Sequence, residues 1–207
     1  MPGMKNGNGT AAHRPDFAAI AGWINSGSSV LDLGCGDGTL LRYLKETRRT
    51  TGYGVEIDDS GVLACVKNGV SVVQSDLERG LSGFGDGSFD YVVLSQTLQA
   101  MKNSEIIIRE MLRVGREGIV TFPNFGYWKN RLEVLRGRMP ISENLPYEWF
   151  NTPNVRLCTV ADFERFCSER GIRIVERKVL THGKPVNVLP NLLGALAVYH
   201  FGNGRKA

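Results

Sequence analysis

The chain has 207 residues, enough for one globular domain with a substantial core and too few for two independent ones. Hydrophobic residues make up 42% and charged residues 22%, and no apolar run approaches the roughly 18 residues needed to cross a bilayer, which argues against a membrane segment. The formal net charge of +4 comes from lysines and arginines scattered among acids instead of gathered into a stripe, so nucleic acid is not expected as the main partner.

The opening MPGMKNGNGT is polar and glycine-rich and lacks the apolar stretch of a secretory signal. A tail over residues 1–12 and a cytoplasmic location are the expectations. RPDFAAIAGWI places Pro15 in a first helical turn and puts Phe17, Ile20, Ala21 and Ile24 on one face, predicting a lead-in helix that covers the sheet edge. From Ser29, apolar β-rich runs alternate with helical patterns: SVLDL, TLLRYLKET, TGYGVEI, DSGVLACVKN, VSVVQ. Such alternation predicts a parallel sheet with helices on both faces. FDYVVLS at 89–95 has the unbroken apolar centre of a strand buried on both sides. A helix follows at about 103–114 with Gly115 placed to end it, and GIVTFPNF gives a fifth strand from Gly118.

Residues 126–158 break the alternation with a short helical pattern and a proline-punctuated aromatic stretch, which marks an insert over a site. TVADFERFCSERG restores a helix, with Thr159 and Asp162 at capping-box spacing and Gly171 as its stop. IRIVERKVL and ALAVYHF fit two last strands, and residues 202–207 read as a frayed tail, leaving a single domain over 13–201. Cys35, Cys65, Cys158 and Cys167 are far apart in sequence and form no C-x-x-C pair, so reduced, packed thiols are expected and no metal site.

VLDLGCGDG, from Val30 to Gly38, sits where open α/β sheets bind ligands, at the first strand-to-helix turn. Gly34, Gly36 and Gly38 permit positive φ and let backbone approach a ligand closely. A dinucleotide fingerprint would need glycine where Thr39 stands, and Asp37 would repel a pyrophosphate at the helix start. The acids Asp32 and Asp37 suit a ligand carrying a sulfonium and an ammonium group and no phosphate, namely S-adenosylmethionine; its product S-adenosylhomocysteine, a thioether that keeps the ammonium group, is the alternative occupant. Glu56 closes the second strand, where a carboxylate can accept both ribose hydroxyls. Asp76, after the third strand, is placed either to accept from the adenine amino group, with Leu77 against the ring, or to cap a helix. Arg14 either clamps the cofactor carboxylate or is a solvated surface cation.

This pattern resembles the class I S-adenosylmethionine-dependent methyltransferase fold, a Rossmann-like doubly wound sheet of seven strands with the last antiparallel. SQTLQAM, FPNFGYWKNR, LPYEWFNTPN and LPNLLG in this order, together with the lead-in helix and glycine-loop blocks, resemble the MetW family of methionine biosynthesis proteins over nearly all of residues 14–201. The resemblance implies a role at the homoserine acylation step, supporting the homoserine O-acyltransferase MetX. It carries cofactor contacts to Asp32, Gly34, Gly36, Glu56 and Asp76.

Methyl transfer itself is another matter, because the catalytic residues are unknown. The three histidines fall in the amino-terminal tail (His13), a late loop (His182) and the last strand (His200), none evidently at the carboxyl ends of the central strands. SQTLQAM replaces the NPPY-type tetrapeptide of enzymes acting on amide or base nitrogens. Tyr127, Trp128, Tyr147, Trp149 and Phe150 in the insert line an acceptor pocket, present a partner surface or pack in the core. Two functions stand: a regulatory subunit of the acyltransferase that senses S-adenosylmethionine, and a small-molecule methyltransferase with an unidentified acceptor.

Overall fold

The computed structural model describes residues 14–204; the tail expected over 1–12 lies outside the described residues, as do His13 and residues 205–207. The described chain runs α1 (Pro15–Ala21), β1 (Ser29–Leu33), α2 (Thr39–Arg48), β2 (Thr51–Glu56), α3 (Asp59–Lys67), β3 (Val72–Gln74), β4 (Phe89–Ser95), α4 (Ser104–Val114), β5 (Gly115–Pro123), α5 (Trp128–Leu135), α6 (Val160–Glu169), β6 (Ile172–Thr181), β7 (Lys184–Pro185), α7 (Pro190–Leu193) and β8 (Leu196–Asn203). The strands form one sheet in the order β3-β2-β1-β4-β5-β8-β6-β7. The first five pair in parallel, and β8 inserts antiparallel between β5 and β6.

The sheet has eight strands, not seven. The additional strand arises because His182 and Gly183 both take positive φ, 49° and 75°, which folds the chain straight back on β6 in a two-residue hairpin. Glycine at one of the two positions is a weak signal beside an Asn-Gly or Gly-Gly pair, so THGK reads as a loop.

Period-2 alternation sends one set of strand residues to each face. Leu31, Leu33, Val92, Leu94, Val120 and Phe122 pack under α4 and α6, while Val30, Tyr91, Val93, Ile119 and Val198 pack under α1 and α2. Phe163 of α6 lies 4.6 Å from the Tyr199 ring centroid and 5.2 Å from Phe122, the aromatic centre of the first layer. The lead-in helix does not cover the sheet edge. The edge strands are β3 and β7, whereas Phe17 and Ile20 of α1 are buried with Leu40, Leu41 and Leu44 of α2 over the middle of the sheet.

Other boundaries move for local reasons. Gly115 is extended (φ −107°) and opens β5 instead of stopping α4 in a left-handed turn, so the fifth strand starts three residues before Gly118. Gly171 is left-handed at φ 65° and stops α6 as the sequence predicts. Gly202 and Asn203 belong to β8, not to a tail, because β6 continues alongside to pair Ile172 with Asn203. At α6 the Thr159 Oγ1 accepts from the Asp162 amide at 3.1 Å, and the Asp162 carboxylate accepts from the Thr159 hydroxyl at 2.7 Å. Aspartate is one methylene shorter than the glutamate of a full capping box, and it meets the hydroxyl rather than the backbone N–H.

The insert is anchored at both ends by one residue. Asn124 is fully buried; its Nδ2 donates to the carbonyls of Asn191 and Gly194, and its Oδ1 accepts from the amides of Gly126 and Val160. Between those amides run α5 and an irregular stretch whose amides at Val155 and Arg156 both donate to the Gln99 carbonyl, holding the stretch against the turn that follows β4.

Candidate functional site at the glycine loop

The carboxyl ends of β1 to β4 meet at one edge of the sheet, bringing four sequence-selected features together. Gly34, Gly36 and Gly38 have φ of 68°, 57° and 75°, the conformations the loop reading requires. The amides of Gly34 and Cys35 both donate to the Val55 carbonyl at 2.8 and 3.1 Å, which ties the loop to β2. A Cβ built on Gly34 would stand 2.8 Å from Thr97, so that glycine is needed for close packing. One built on Gly36 would meet no heavy atom of the described residues within 4 Å, so that position faces open space.

Asp32 lies on β1 beneath this loop, 2% exposed, with Oδ1 buried and without a hydrogen-bond partner among the described residues. Burial pushes its carboxyl up to about 7 against the pull of the Arg14 guanidinium, and the charges of Glu56, Asp16 and Asp37 push the same way. An orphaned, poorly solvated carboxylate oxygen is a receptor for a cationic donor. Asp37 is exposed and accepts from the Thr39 amide at 3.0 Å, so it fills the anion-binding end of α2 with its own carboxylate. These residues fit a phosphate-free ligand that brings an ammonium group.

Glu56 closes β2 as the sequence predicts, yet its carboxylate is already engaged. Oε2 accepts from the Gly36 amide at 2.8 Å, and Oε1 accepts from the amides of Ile57 and Asp58 at 2.8 and 3.0 Å. A carboxylate has about four acceptor directions, so roughly one remains. Asp76 sits after β3 and caps the short 3₁₀ turn Leu77–Arg79, accepting from the Glu78 amide at 2.9 Å; its side chain is only 36% exposed. Ile57, directly after Glu56, is 62% exposed on the same edge, an apolar surface that sequence reasoning missed because no periodicity marks a single loop residue.

A second cluster at this edge was also missed. Asp16 of α1 is 1% exposed and accepts from Arg14 Nε (3.1 Å) and Nη2 (2.5 Å), from Ser95 Oγ (3.2 Å) and from Gln96 Nε2 (3.3 Å). Arg14 is therefore not simply solvated. Held edge-on by Asp16 and stacked 4.1 Å over the Phe17 ring, it still leaves 40% of its side chain exposed. Gln96, the residue after β4, has φ 52°, a conformation few non-glycine residues adopt, fixed by its amide donating to Thr121. One cluster bridges α1, β4 and β5 across sequence separations that no local pattern reveals.

Cys35 and Cys65, distant in sequence, are neighbours below the loop with sulfurs 3.6 Å apart; both are free thiols raised by burial. His200 bonds Glu117 at 2.8 Å near the start of β5, at the sheet edge opposite the loop, while His182 is exposed on the β6–β7 turn at the loop's own edge. The aromatic insert divides: Tyr127 is buried, whereas Trp128, Tyr147, Trp149 and Phe150 are exposed.

The sheet order and the glycine loop define a class I methyltransferase-type fold. It is shared with an S-adenosylmethionine-dependent methyltransferase from Mesorhizobium loti (TM-score 0.69, 15% identity, 92% of this chain and 99% of that one) and another from Thermotoga maritima (TM-score 0.67, 18% identity, 94% and 89%). The chain belongs to the MetW family: residues 14–201 match the family described as methionine biosynthesis protein MetW. It is similar to a bifunctional methionine biosynthesis protein MetXA/MetW of Rhodopirellula baltica, 42% identical over 171 residues that make up 78% of this chain. The chain spans 27% of the length of that relative. Among the described residues no helix is long and apolar enough to cross a membrane, and no group of three or more His, Cys, Asp or Glu side chains is arranged to hold a metal ion.

Proposed function

We propose that this chain binds S-adenosylmethionine at the glycine loop and supports homoserine acylation by a MetX-type homoserine O-acyltransferase. The observation that carries the partner is the relative in which a sequence similar to this chain is joined to a MetXA part in one polypeptide. Two observations carry the cofactor: the buried Oδ1 of Asp32 has no hydrogen-bond partner among the described residues, and Gly36, four residues further on in the same strand-to-helix turn, faces open space.

In this reading Asp32 takes the ammonium group of the cofactor, and Arg14 takes its carboxylate. Gly34 and Gly36 keep the loop clear of side chains. Glu56 meets one ribose hydroxyl with its remaining acceptor direction, because a second would displace a backbone amide. Asp76 accepts from the adenine amino group while Ile57 and Leu77 cover the ring faces. When bound, the cofactor supplies a methyl sulfonium, and in a sensing role that chemistry goes unused. Sensing requires that the cofactor have different affinity for the free chain and for the complex.

The test is homoserine acylation by the acyltransferase of the same organism, titrated with this chain, with and without S-adenosylmethionine. A saturable rise in rate supports the reading, and dependence of that rise on the cofactor makes the loop a sensor. No change in rate together with no co-elution defeats it.

A second reading, methyl transfer to a small acceptor, draws on a cavity of about 430 Å³ at the same sheet edge, lined by Tyr127, Asn130, Glu133 and His182. The turn bearing His182 abuts the start of α1, where a Cβ on Gly183 would lie 3.4 Å from Pro15. Formation of S-adenosylhomocysteine from cofactor and fractionated extract tests it. A yield equal to the protein-free control in every fraction excludes it.

A further inference from the structure

Between α5 and α6 the insert exposes more large apolar side chains than the isolated chain has use for. Trp149 and Phe150 are 72% and 69% exposed and pack edge to face on each other with ring centroids 5.8 Å apart. Met139, Tyr147, Val155 and Leu157, all exposed, surround with Trp149 one shallow cavity of about 260 Å³. The surface therefore combines projecting aromatics with a receiving hollow, the two halves of an interface hot spot. At the foot of the insert, tied to it through Asn124, the segment leading into α7 adds exposed Val188 and Leu189. Leu189 has φ 45°, so a large apolar residue is both in the left-handed region and 61% exposed. Its carbonyl accepts from the amides of Leu192 and Leu193, which accounts for the backbone turn and not for the exposed side chain.

We infer that the aromatic face of the insert, centred on Trp149 and Phe150 and continued by Leu189 on the segment tied to the foot of the insert, is the surface on which the MetX-type acyltransferase docks. This rests on the partner reading given above. The occupant is argued from the MetXA/MetW relative: in one polypeptide each part meets the other at the high effective concentration a linker sets, so a face on this part that receives the MetXA part is filled for much of the time even at modest intrinsic affinity. The insert face has the composition of such a face, with tryptophan, tyrosine and phenylalanine exposed together and Glu148 the one charged side chain lining the hollow. Its position also links it to the cofactor edge, because the amides of Val155 and Arg156 hold the insert to Gln99, three residues beyond the strained Gln96 at the end of β4. A partner seated here presses on the segment that contacts Asp16.

The test is binding of the 207-residue chain to the purified acyltransferase by interferometry, with sedimentation to report self-association. The double variant Trp149→Ser/Phe150→Ser is compared with Leu63→Ser/Val66→Ser, which removes two apolar residues from α3 that are exposed by more than half. The proposal expects the first pair to weaken binding at least thirtyfold with an unchanged melting temperature, and the second to change it less than threefold. Leu189→Gly should weaken binding while raising the melting temperature, a combination that a purely structural residue does not give. Equal binding by wild type and the Trp149/Phe150 variant overturns the surface and leaves the partner reading intact. No binding by wild type overturns both. A wild-type dimer lost in that variant, with acyltransferase binding unchanged, assigns the face to a second copy and overturns the proposal.

Discussion

Replacing Asp32 by Asn isolates the ionisation of one buried carboxyl. In the folded chain burial holds it up to about 7, from an ordinary value of 3.8. The folded state thus keeps a proton that the unfolded state has already lost, and Asp32 subtracts stability progressively as pH rises from about 4 through 7. Integrating between those two values gives a penalty well under about 1 kcal/mol at pH 4 and of about 4 kcal/mol at pH 8. Asn keeps the shape and cannot ionise. Whatever its amide loses or gains in the buried site is the same at both pH values, so the difference between them reports the charge alone. Urea unfolding followed by circular dichroism at pH 4 and pH 8 should show the variant gaining about 3 kcal/mol on wild type between the two. A stability difference that does not change with pH would mean that Asp32 is solvated or paired in the folded chain, and the argument for an ammonium receptor would fall with it.

Cofactor affinity should move the opposite way. The ionised form of Asp32 is the one that receives a cation, so the Kd of wild type for S-adenosylmethionine should tighten from pH 5 to pH 7, by up to about tenfold per unit, and level off above about 7; calorimetric titration of Asp32→Asn should give a weak, flat profile. Gly36→Ala places its methyl in open space and should lower stability by only about 1 kcal/mol while weakening the cofactor more than tenfold. Gly34→Ala, driven against Thr97, should cost more than that in thermal unfolding before any ligand is added. Asn124→Ala leaves the amides of Gly126 and Val160 and two carbonyls without their partner, so chemical denaturation should reveal a loss of about 3 kcal/mol or more. A loss below about 1 kcal/mol would show that water replaces it.

The parts of this fold that read well in the sequence are those with local signals. The alternation from Ser29 to Phe122 rests on strands whose residues are buried on both faces and on helices with one apolar stripe, and burial writes itself into composition. The glycine loop is legible for the same reason, since positive φ at Gly34 and Gly36 restricts the residue type. What was not legible depends on contacts between distant segments. The Arg14–Asp16–Ser95–Gln96 cluster spans some eighty residues, and Asp16 looks like an ordinary acid in the first turn of a helix. Cys35 and Cys65 look isolated until the glycine loop and α3 are packed together. Glu56 was recognised by position, but its engagement with three amides follows from the path of the loop around it. The hairpin at His182–Gly183 escaped because its backbone conformation is imposed by pairing to β6 more than by residue type.

The bonding of Gly126 and Val160 to the same oxygen of Asn124 separates two evolutionary problems. A long excursion leaves the sheet and returns to it at one atom, and between those ends the amides of Val155 and Arg156 tie it to the Gln99 carbonyl, so the sheet constrains the excursion at these fixed points. Loop closure grows only by about 0.6 kcal/mol for each doubling of length. Insertions, deletions and changes of aromatic content away from Val155 and Arg156 leave the glycine loop where it is. A lineage can therefore re-tailor what this protein touches while its ligand edge stays fixed, and two homologues with one common sheet need share no contact outside it.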